Sequence, residues 1–276
     1  MSGQFDLLLA GAGHAHLGVL RLWMSGQRPK GRIGLVSEGP HAWYSGMLPG
    51  LLAGRYRAEQ CRIPLQRLCT AVGVELLEGQ ISKLDPLVGC IELADGGQYS
   101  ATWLSLNLGA QPKVPQSAGS TLDVLPVKPF EAFVQGWQRW QQAPQALAIL
   151  GGGAAGVELA LALAPQVPEL TLLSSAQVLA GHPLALRKRA VRHLAEAGVK
   201  VLEGIAVDAI HGDALVAGNR VVWCGGRVIL ATGASALPWL GLSGLACDER
   251  GFVRVGKTLQ SLSHPHVFAA GDCASL

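Results

Sequence analysis

The chain has 276 residues, a formal net charge of +3, 49% hydrophobic residues and only 15% charged residues. This length fits two domains better than one, and the apolar content is sufficient for buried parallel sheets. The small net charge gives no support for a nucleic-acid partner, and the densest basic run, residues 187–192, is interpreted as the solvated face of a helix. No apolar stretch reaches the roughly 18 residues of a transmembrane segment.

The cysteines and histidines predict neither a redox relay nor a metal site. The six cysteines form no C-x-x-C pair and no zinc spacing, which predicts reduced, mostly structural thiols in a cytoplasmic protein. The N-terminus enters the first predicted strand within a few residues, so we expect no signal peptide. His14 with His16, and His264 with His266, lack carboxylate or cysteine partners at metal-ligand spacing, so no metal is predicted.

The first half opens with a strand–helix–strand pattern. An apolar run at 5–10 ends at a glycine, residues 17–24 place apolar side chains at helical spacing, and 32–36 is a second apolar run. Together they predict a βαβ unit with a right-handed crossover. Three later strands are predicted to form a β-meander, at 74–77, 90–93 and 98–106.

The second half repeats this plan. A strand, a helix and a strand are predicted at 146–150, 154–163 and 170–173. Residues 198–204 nearly copy 73–79, and Thr232-Gly233-Ala234 follows Leu108-Gly109-Ala110 at almost the same offset. A matched offset across two motifs indicates two structural copies of one nucleotide-binding unit.

Two proline- or glycine-containing stretches, 112–115 and 236–241, are predicted to be linkers. Between them, aromatic residues at helical spacing in 129–142 predict a core-facing helix rather than an aromatic binding surface. We therefore predict an α/β fold of two Rossmann-like dinucleotide-binding units, each with a parallel sheet and a β-meander. The second domain is inserted into the first, and the predicted boundaries are 1–112 with 241–276 for the first domain and 113–240 for the second.

The second unit carries a complete glycine fingerprint between its first strand and its helix. Gly151 allows a tight turn, Gly153 lets a pyrophosphate approach the helix N-terminus, and Gly156 lets helix and strand pack closely. Ala154 and Ala155 complete the candidate site. A purely structural turn is the alternative interpretation.

The first unit has a related fingerprint, Gly11-Ala12-Gly13-His14-Ala15-His16, which departs from the pattern at the third glycine. The side chain of His16 must push the helix away from the strand or turn toward the ligand. The second copy of the motif supports interpreting this one as a nucleotide site as well.

Acidic residues near the strand ends are candidates for binding ligand hydroxyls. Asp272 follows the strand predicted at 267–270 and supplies the carboxylate that a flavin's sugar-alcohol chain needs. Glu38 follows the second strand and is a candidate ligand for an adenosine ribose. The equivalent residues of the second unit, Ser174 and Ser175, give no choice between NADH and NADPH. Glu158, in the helix after the second fingerprint, is the best candidate for proton transfer.

Flavin reductases with a redox disulfide carry two cysteines soon after the first βαβ unit. Here that stretch, 41–50, contains no cysteine, so we expect no dithiol relay. Cys61 and Cys69 are interpreted as structural thiols, with a pair between them as the alternative.

Five motifs in this order resemble the pyridine nucleotide-disulfide oxidoreductase superfamily, and within it cysteine-free members such as type II NADH dehydrogenases. The motifs are Gly11-Ala12-Gly13, Leu108-Gly109-Ala110, residues 151–158, Ala231-Thr232-Gly233 and residues 268–272. A closer resemblance, to the flavoprotein domain associated with selenide, water dikinase, is suggested by residues 13–16, 44–50, 127–129 and 259–261.

The superfamily resemblance implies an FAD site and an NAD(P)H site. The implied FAD ligands are Gly11, Ala12, Gly13, His14, Ala15, Glu38, Gly109, Gly271 and Asp272. Ser45, Met47 and Pro49 are implied to lie near the isoalloxazine, where other members carry the disulfide. The implied NAD(P)H ligands are the 151–156 fingerprint and Gly233.

The chain departs from the superfamily pattern at two places. Asn107-Leu108-Gly109 replaces the usual Ala-Thr-Gly at the end of the first unit. Family members also continue past Asp272 with a helix and an interface domain. We therefore expect a C-terminally truncated FAD domain with an incomplete flavin site, and a homodimer that would form through the missing region.

These features predict an FAD-dependent oxidoreductase that takes a hydride from NAD(P)H onto the flavin and passes electrons to a small-molecule or protein acceptor. The predicted electron transfer involves no redox-active disulfide. The alternative is a non-catalytic flavin- or nucleotide-binding sensor or assembly module. Nothing in the sequence names the electron acceptor.

Overall fold

The computed structural model describes residues 3–276. The helices are α1 (His14–Leu22), α2 (Leu48–Leu52), α3 (Leu65–Val72), α4 (Phe130–Gln141), α5 (Ala154–Leu163), α6 (Leu184–Glu196) and α7 (Pro238–Gly241). The strands of the first half are β1 (Gly3–Ala10), β2 (Ile33–Ser37), β3 (His41–Trp43), β4 (Arg62–Pro64), β5 (Glu75–Glu78), β6 (Ile81–Asp85), β7 (Cys90–Leu93), β8 (Gln98–Leu106), β9 (Gln111–Pro112), β10 (Gln116–Ala118) and β11 (Asp123–Pro126). Those of the second half are β12 (Leu147–Leu150), β13 (Leu170–Leu173), β14 (Lys200–Leu202), β15 (Ala209–His211), β16 (Ala214–Ala217), β17 (Arg220–Cys224), β18 (Arg227–Leu230), β19 (Ala234–Ser235), β20 (Val253–Arg254), β21 (Val267–Ala269) and β22 (Ala274–Ser275).

The chain forms two compact units. The first comprises the residues up to Trp43, Arg62–Gln111 and Ser235–Leu276, and the second comprises Tyr44–Cys61 and Pro112–Ala234. The predicted boundaries placed residues 44–61 in the first domain, whereas this segment groups with the second unit. There α2 packs against α5, and the side-chain amide of Gln166 donates to the Leu52 carbonyl at 2.6 Å.

A seven-stranded sheet forms the centre of the first unit. Its order is β5-β2-β1-β8-β7-β6, and β21 pairs with the second half of β8. Strands β5, β2, β1, β8 and β21 are parallel, while β6 and β7 are antiparallel. Because successive β1 side chains face opposite ways, Leu8 enters one core cluster and Leu9 the other. β2 and residues 8–10 of β1 are therefore buried on both faces, as their apolar sequences require.

The predicted β-meander of the first unit is partly wrong. Residues 74–77 were assigned to it, but β5 pairs in parallel with β2 at the sheet edge. The prediction also omitted the helix α3, which lies in the connection between β2 and β5. A parallel pair needs such a crossover, whereas an antiparallel meander needs only tight turns. The meander of the structure is β6, β7 and β8.

The second unit repeats the parallel core. Its five-stranded parallel sheet has the order β11-β18-β12-β13-β14, and β12 and β13 are fully buried. The repeated segments 73–79 and 198–204 mark β5 and β14, which occupy the same edge position in the two sheets. The meander β15, β16 and β17 joins β10 in a separate four-stranded sheet. The prediction of an α/β fold with two Rossmann-like parallel sheets is confirmed.

Two segments between the predicted strands gave opposite outcomes. The aromatic helix is confirmed as α4, which buries Phe133, Trp137 and Trp140. The linker predicted at 236–241 is wrong, because this segment forms α7 and its Leu240 is buried in the core of the first unit.

Leu240 within this segment and Leu242 just after it provide a test of its packing. Leu240 is 0% exposed and Leu242 is 88% exposed. We expect Leu240→Ala to lower the free energy of unfolding by about 2–5 kcal/mol, because it removes buried methyl groups and leaves a cavity. Leu242→Ala should change it by less than about 0.5 kcal/mol. Urea unfolding measures both, and equal effects would show that the segment is a linker after all.

Candidate functional site

The second glycine fingerprint makes a turn that requires glycine. β12 ends at Leu150, and Gly151 follows with a φ of +128° while its N–H donates to the Leu173 carbonyl at 2.9 Å. A Cβ on Gly151 would collide with the Ala231 carbonyl, which follows the neighbouring strand β18. Only glycine combines this backbone conformation with so close an approach.

The other two glycines of this fingerprint have different surroundings. A Cβ on Gly156 would collide with the Gly151 carbonyl, so this glycine lets α5 start against the turn. A Cβ on Gly153 would meet no protein atom within 4 Å. Gly153 is the N-cap of α5 without a side-chain cap, and Ala154 and Ala155 are exposed beside it. The space in front of this helix N-terminus can accept an anionic group.

Further candidate residues gather at the same edge of the second sheet. β12, β13 and β18 are parallel, so their carboxyl ends meet there. Gly233 is exposed, and a Cβ on it would meet no atom within 4 Å. Ser174 is buried, and its hydroxyl lies against Gly152.

Glu158 lies elsewhere in the second unit. It is exposed on α5 and lines a groove of about 880 Å³ formed with α2 and α4. Arg55, Gln138 and Gln141 line the same groove.

The first fingerprint makes the equivalent turn. Gly11 has a φ of +93°, and its N–H donates to the Val36 carbonyl at 2.9 Å. A Cβ on Gly11 would lie 2.5 Å from the carbonyl oxygen of Asn107, which follows β8. Gly13 is the N-cap of α1 and, being glycine, has no side chain to cap the helix. His14 and Ala15 are exposed beside it.

His16 does not turn toward a ligand, which was one of the two alternatives that the sequence left open. The residue is 2% exposed, and its ring places Nδ1 2.6 Å from the Gly11 carbonyl and Nε2 2.8 Å from the Ser105 hydroxyl. Since a carbonyl only accepts, Nδ1 carries the proton and donates, and Nε2 accepts from Ser105. The side chain therefore connects the glycine turn to β8 instead of facing a ligand.

Burial keeps the His16 imidazole neutral. Desolvation lowers its pKa from 6.5 to about 4, although the hydrogen bond to the Gly11 carbonyl opposes this change. The neutral ring satisfies both hydrogen bonds, with Nδ1 as donor to Gly11 and Nε2 as acceptor from Ser105.

Asn107 is a residue of this site that sequence reasoning did not identify as functional. Its Oδ1 accepts from the backbone N–H of Ala15 at 3.1 Å and of His16 at 3.3 Å. Its Nδ2 donates to the Ala270 carbonyl at 2.6 Å. The signal in the sequence was the replacement of Ala-Thr-Gly by Asn107-Leu108-Gly109.

The remaining candidates of the first unit also lie at the carboxyl ends of its parallel strands. Glu38 is exposed directly after β2. Gly109 lies just past β8, where a Cβ would meet no atom within 4 Å. Gly271 and the exposed Asp272 form a 3-10 turn after β21. Ser45, Met47 and Pro49 belong to the second unit, in a 3-10 turn and at the start of α2.

The cysteines are free thiols. Cys61 belongs to the second unit and Cys69 to the first. Burial raises the pKa of Cys69 to about 11, and it also raises the pKa of Cys61 and Cys273. These environments disfavour the thiolate, which is the reactive form of cysteine.

Residues 3–276 contain neither a cluster of metal ligands nor a helix suited to crossing a membrane. No group of three or more histidine, cysteine or acidic side chains could hold a metal ion there. No helix in the same residues is long and apolar enough to cross a bilayer.

The buried imidazole makes stability depend on pH. The unfolded chain binds a proton at His16 below pH about 6.5 and the folded chain only below about 4, so acid favours unfolding between these values. From about pH 7.5 to 4.5, His16 should lower the free energy of unfolding by about 2.5 kcal/mol. His16→Gln should lose less stability than the parent over this range, as measured by urea unfolding at both pH values. Equal losses in the two proteins would show that His16 does not titrate in this way.

Comparisons with known proteins agree with this geometry. The family model for pyridine nucleotide-disulphide oxidoreductase matches residues 5–276. A nitric oxide reductase FlRd-NAD(+) reductase of Aeromonas hydrophila is 36% identical over 230 residues, which are 78% of this chain and 54% of that protein. The alternative NAD(P)H-ubiquinone oxidoreductase C1 of Arabidopsis thaliana is 24% identical, over 89% of this chain and 56% of its own. The chain thus spans little more than half the length of these curated relatives.

A solved structure shares the fold. The water-forming NADH oxidase from Lactobacillus brevis, bound to NADH, superposes with a TM-score of 0.83 at 19% identity. The match covers 98% of this chain and 62% of the oxidase chain. With its two glycine turns and a family match over nearly its whole length, the chain belongs to the pyridine nucleotide-disulphide oxidoreductase family, whose members are flavoproteins that bind FAD and NAD(P)H.

Proposed function

We propose that this chain is an FAD-dependent oxidoreductase that takes a hydride from NAD(P)H and passes electrons to a small-molecule or protein acceptor without a redox-active disulfide. The observation that carries this proposal is the pair of glycine turns, one in each unit. Each turn leads from a buried parallel strand to the N-terminus of a helix. Two dinucleotide sites in one chain suit electron transfer between two dinucleotides.

The first domain, 1–112 with 241–276, is proposed to bind FAD. Gly11 and Gly13 bring the backbone and the N-terminus of α1 to the pyrophosphate. Glu38 accepts hydrogen bonds from the hydroxyls of the adenosine ribose. Asp272, exposed in the turn after β21, accepts hydrogen bonds from hydroxyls of the ribityl chain. Ala12, His14, Ala15 and Gly109 complete this set. When bound, FAD supplies the two-electron chemistry.

The second domain, 113–240, is proposed to bind NAD(P)H. The space in front of Gly153 and the exposed start of α5 support a pyrophosphate there. Gly151 and Gly156 build the turn, and Gly233 belongs to the same strand edge. Glu158 is proposed as the proton-transfer residue, since it is exposed on α5 and lines the groove that α5 forms with α2 and α4.

Electron transfer without a dithiol is supported by the cysteines. Residues 41–50 contain none, and burial raises the pKa of Cys61, Cys69 and Cys273. Ser45, Met47 and Pro49 are proposed to take the place of the disulfide segment beside the flavin. Reduced thiols also support a cytoplasmic location.

A finer proposal concerns the protein's associations. We propose that the chain is the flavoprotein domain associated with selenide, water dikinase. Residues 13–16, 44–50, 127–129 and 259–261 support this. A homodimer is proposed from the superfamily resemblance.

A substitution at Gly153 tests the NAD(P)H site. Gly153→Val places a side chain where no protein atom lies within 4 Å, so the fold should be retained while the pyrophosphate is excluded. We expect the rate of flavin reduction by NADH or NADPH to fall by about ten- to a hundredfold, while dithionite still bleaches the flavin. Stopped-flow absorbance measures both. Gly241→Val, at another glycine with no atom within 4 Å, is the control and should keep the parental rate.

Parental rates in Gly153→Val would remove the second fingerprint as the hydride-donor site. Flavin that binds but is not bleached by NADH or NADPH in the parent protein would instead favour the non-catalytic sensor or assembly module.

A substitution at Asp272 tests the flavin site. Losing a carboxylate hydrogen bond to a ligand hydroxyl should weaken FAD binding by about ten- to a hundredfold. Asp272→Ala should therefore raise the Kd for FAD, measured by flavin fluorescence, and leave NAD(P)H binding unchanged. Glu249→Ala removes the same charge from another exposed position of the first unit and serves as control. An unchanged Kd in Asp272→Ala would show that the ribityl contact is misplaced.

A further inference from the structure

Asn107 lies where three chain segments of the first unit meet. Its backbone N–H donates to the Ala10 carbonyl at 2.8 Å, at the end of β1. Its side chain accepts from the first turn of α1 and donates to the carbonyl of Ala270, directly after β21. The residue is 6% exposed, and both polar atoms of its side chain have partners. One side chain therefore connects the fingerprint helix to the turn that carries Asp272.

These contacts require a side-chain amide. Two backbone N–H groups need an acceptor, and the Ala270 carbonyl needs a donor. An aspartate could supply the acceptor but not the donor, and an alanine could supply neither. The partners also determine the orientation of the amide, because the reverse orientation would place donor against donor and acceptor against acceptor.

The glycines on either side are packed directly against this residue. A Cβ on Gly13 would collide with Oδ1, and a Cβ on Gly271 would lie 2.8 Å from Nδ2. Neither turn can therefore move toward the other without contacting the Asn107 side chain. The spacing between the fingerprint and the Gly271-Asp272 turn is determined by the size of this amide and by its hydrogen bonds.

We propose that Asn107 is a positioning residue that holds Asp272 at the distance from the Gly11–Gly13 turn that one flavin dinucleotide needs. The inference rests on the proposed function, in which the first unit binds FAD. A dinucleotide that contacts the helix N-terminus at its pyrophosphate and Asp272 at its ribityl chain gains both contacts only when the two are correctly spaced. Asn107 acts on the ligand through Asp272.

A double-mutant cycle on the 276-residue chain tests this coupling. The Kd for FAD is measured by flavin fluorescence for the parent, Asn107→Ala, Asp272→Ala and the double variant. Asn107→Ala should weaken binding by about tenfold, because Asp272 loses its position. In the Asn107→Ala background, Asp272→Ala should then weaken FAD binding by less than about threefold, although it does so by about ten- to a hundredfold in the parent.

Asn107→Asp separates positioning from helix capping. Aspartate keeps an acceptor for the Ala15 and His16 N–H groups, so it retains the cap, but it cannot donate to Ala270. We expect it to lose FAD affinity as Asn107→Ala does, and to reduce the effect of Asp272→Ala in the same way. Urea unfolding without flavin shows whether each variant folds. Because Asn107→Asp retains the cap, it still measures the coupling to Asp272 if Asn107→Ala fails to fold.

Three outcomes would overturn the inference. Additive effects of the Asn107 and Asp272 substitutions would show that Asn107 only stabilises the fold. Parental FAD affinity in Asn107→Asp would show that capping of α1 is its whole role. A parent chain that binds no FAD would overturn the proposed flavin site, and this inference with it.

Discussion

Each unit depends on one close approach between two of its own backbone segments. In each, the residue after the first parallel strand is a glycine pressed against the carbonyl that follows the neighbouring strand, Gly11 against Asn107 and Gly151 against Ala231. The parallel register makes these pairs equivalent, because Ala10 lies opposite Leu106 and Leu150 opposite Leu230. A side chain at either glycine would separate the strand ends. The helix N-terminus could then no longer face the carboxyl edge of the sheet, which is where parallel α/β sheets generally bind their ligands.

The two units secure the start of the fingerprint helix differently. In the second, Gly156 lets α5 pack against the Gly151 carbonyl, so backbone meets backbone. In the first, His16 stands at that position and forms a hydrogen bond to the same carbonyl of its own turn, Gly11, while Asn107 caps the helix. Backbone contact is thus replaced by a network of side-chain hydrogen bonds. Both ring nitrogens of His16 take part in this network, Nδ1 toward Gly11 and Nε2 toward Ser105.

This difference gives the first unit a constraint that the second lacks. The network extends through Asn107 to Ala270, so the helix, the strand end and the Asp272 turn are held together. The second unit leaves its helix N-terminus open around Gly153 and has no equivalent side chain at Ala231. A tightly held site suits a resident group and an open one suits a group that comes and goes, which agrees with the proposed roles of flavin and nicotinamide nucleotide.

The sequence by itself determined the two Rossmann-like units, their fingerprints and the buried aromatic face of α4, because glycine spacing and apolar periodicity are local signals. Only the tertiary structure decided that β5 runs parallel to β2, that α7 enters the core, and that residues 44–61 join the second unit. It also decided the contacts of His16 and Asn107, which appeared in the sequence only as departures from a motif. Their partners, Ser105 and Ala270, are distant in the chain, and no spacing rule specifies which hydrogen bonds form when β1, β8 and β21 come together.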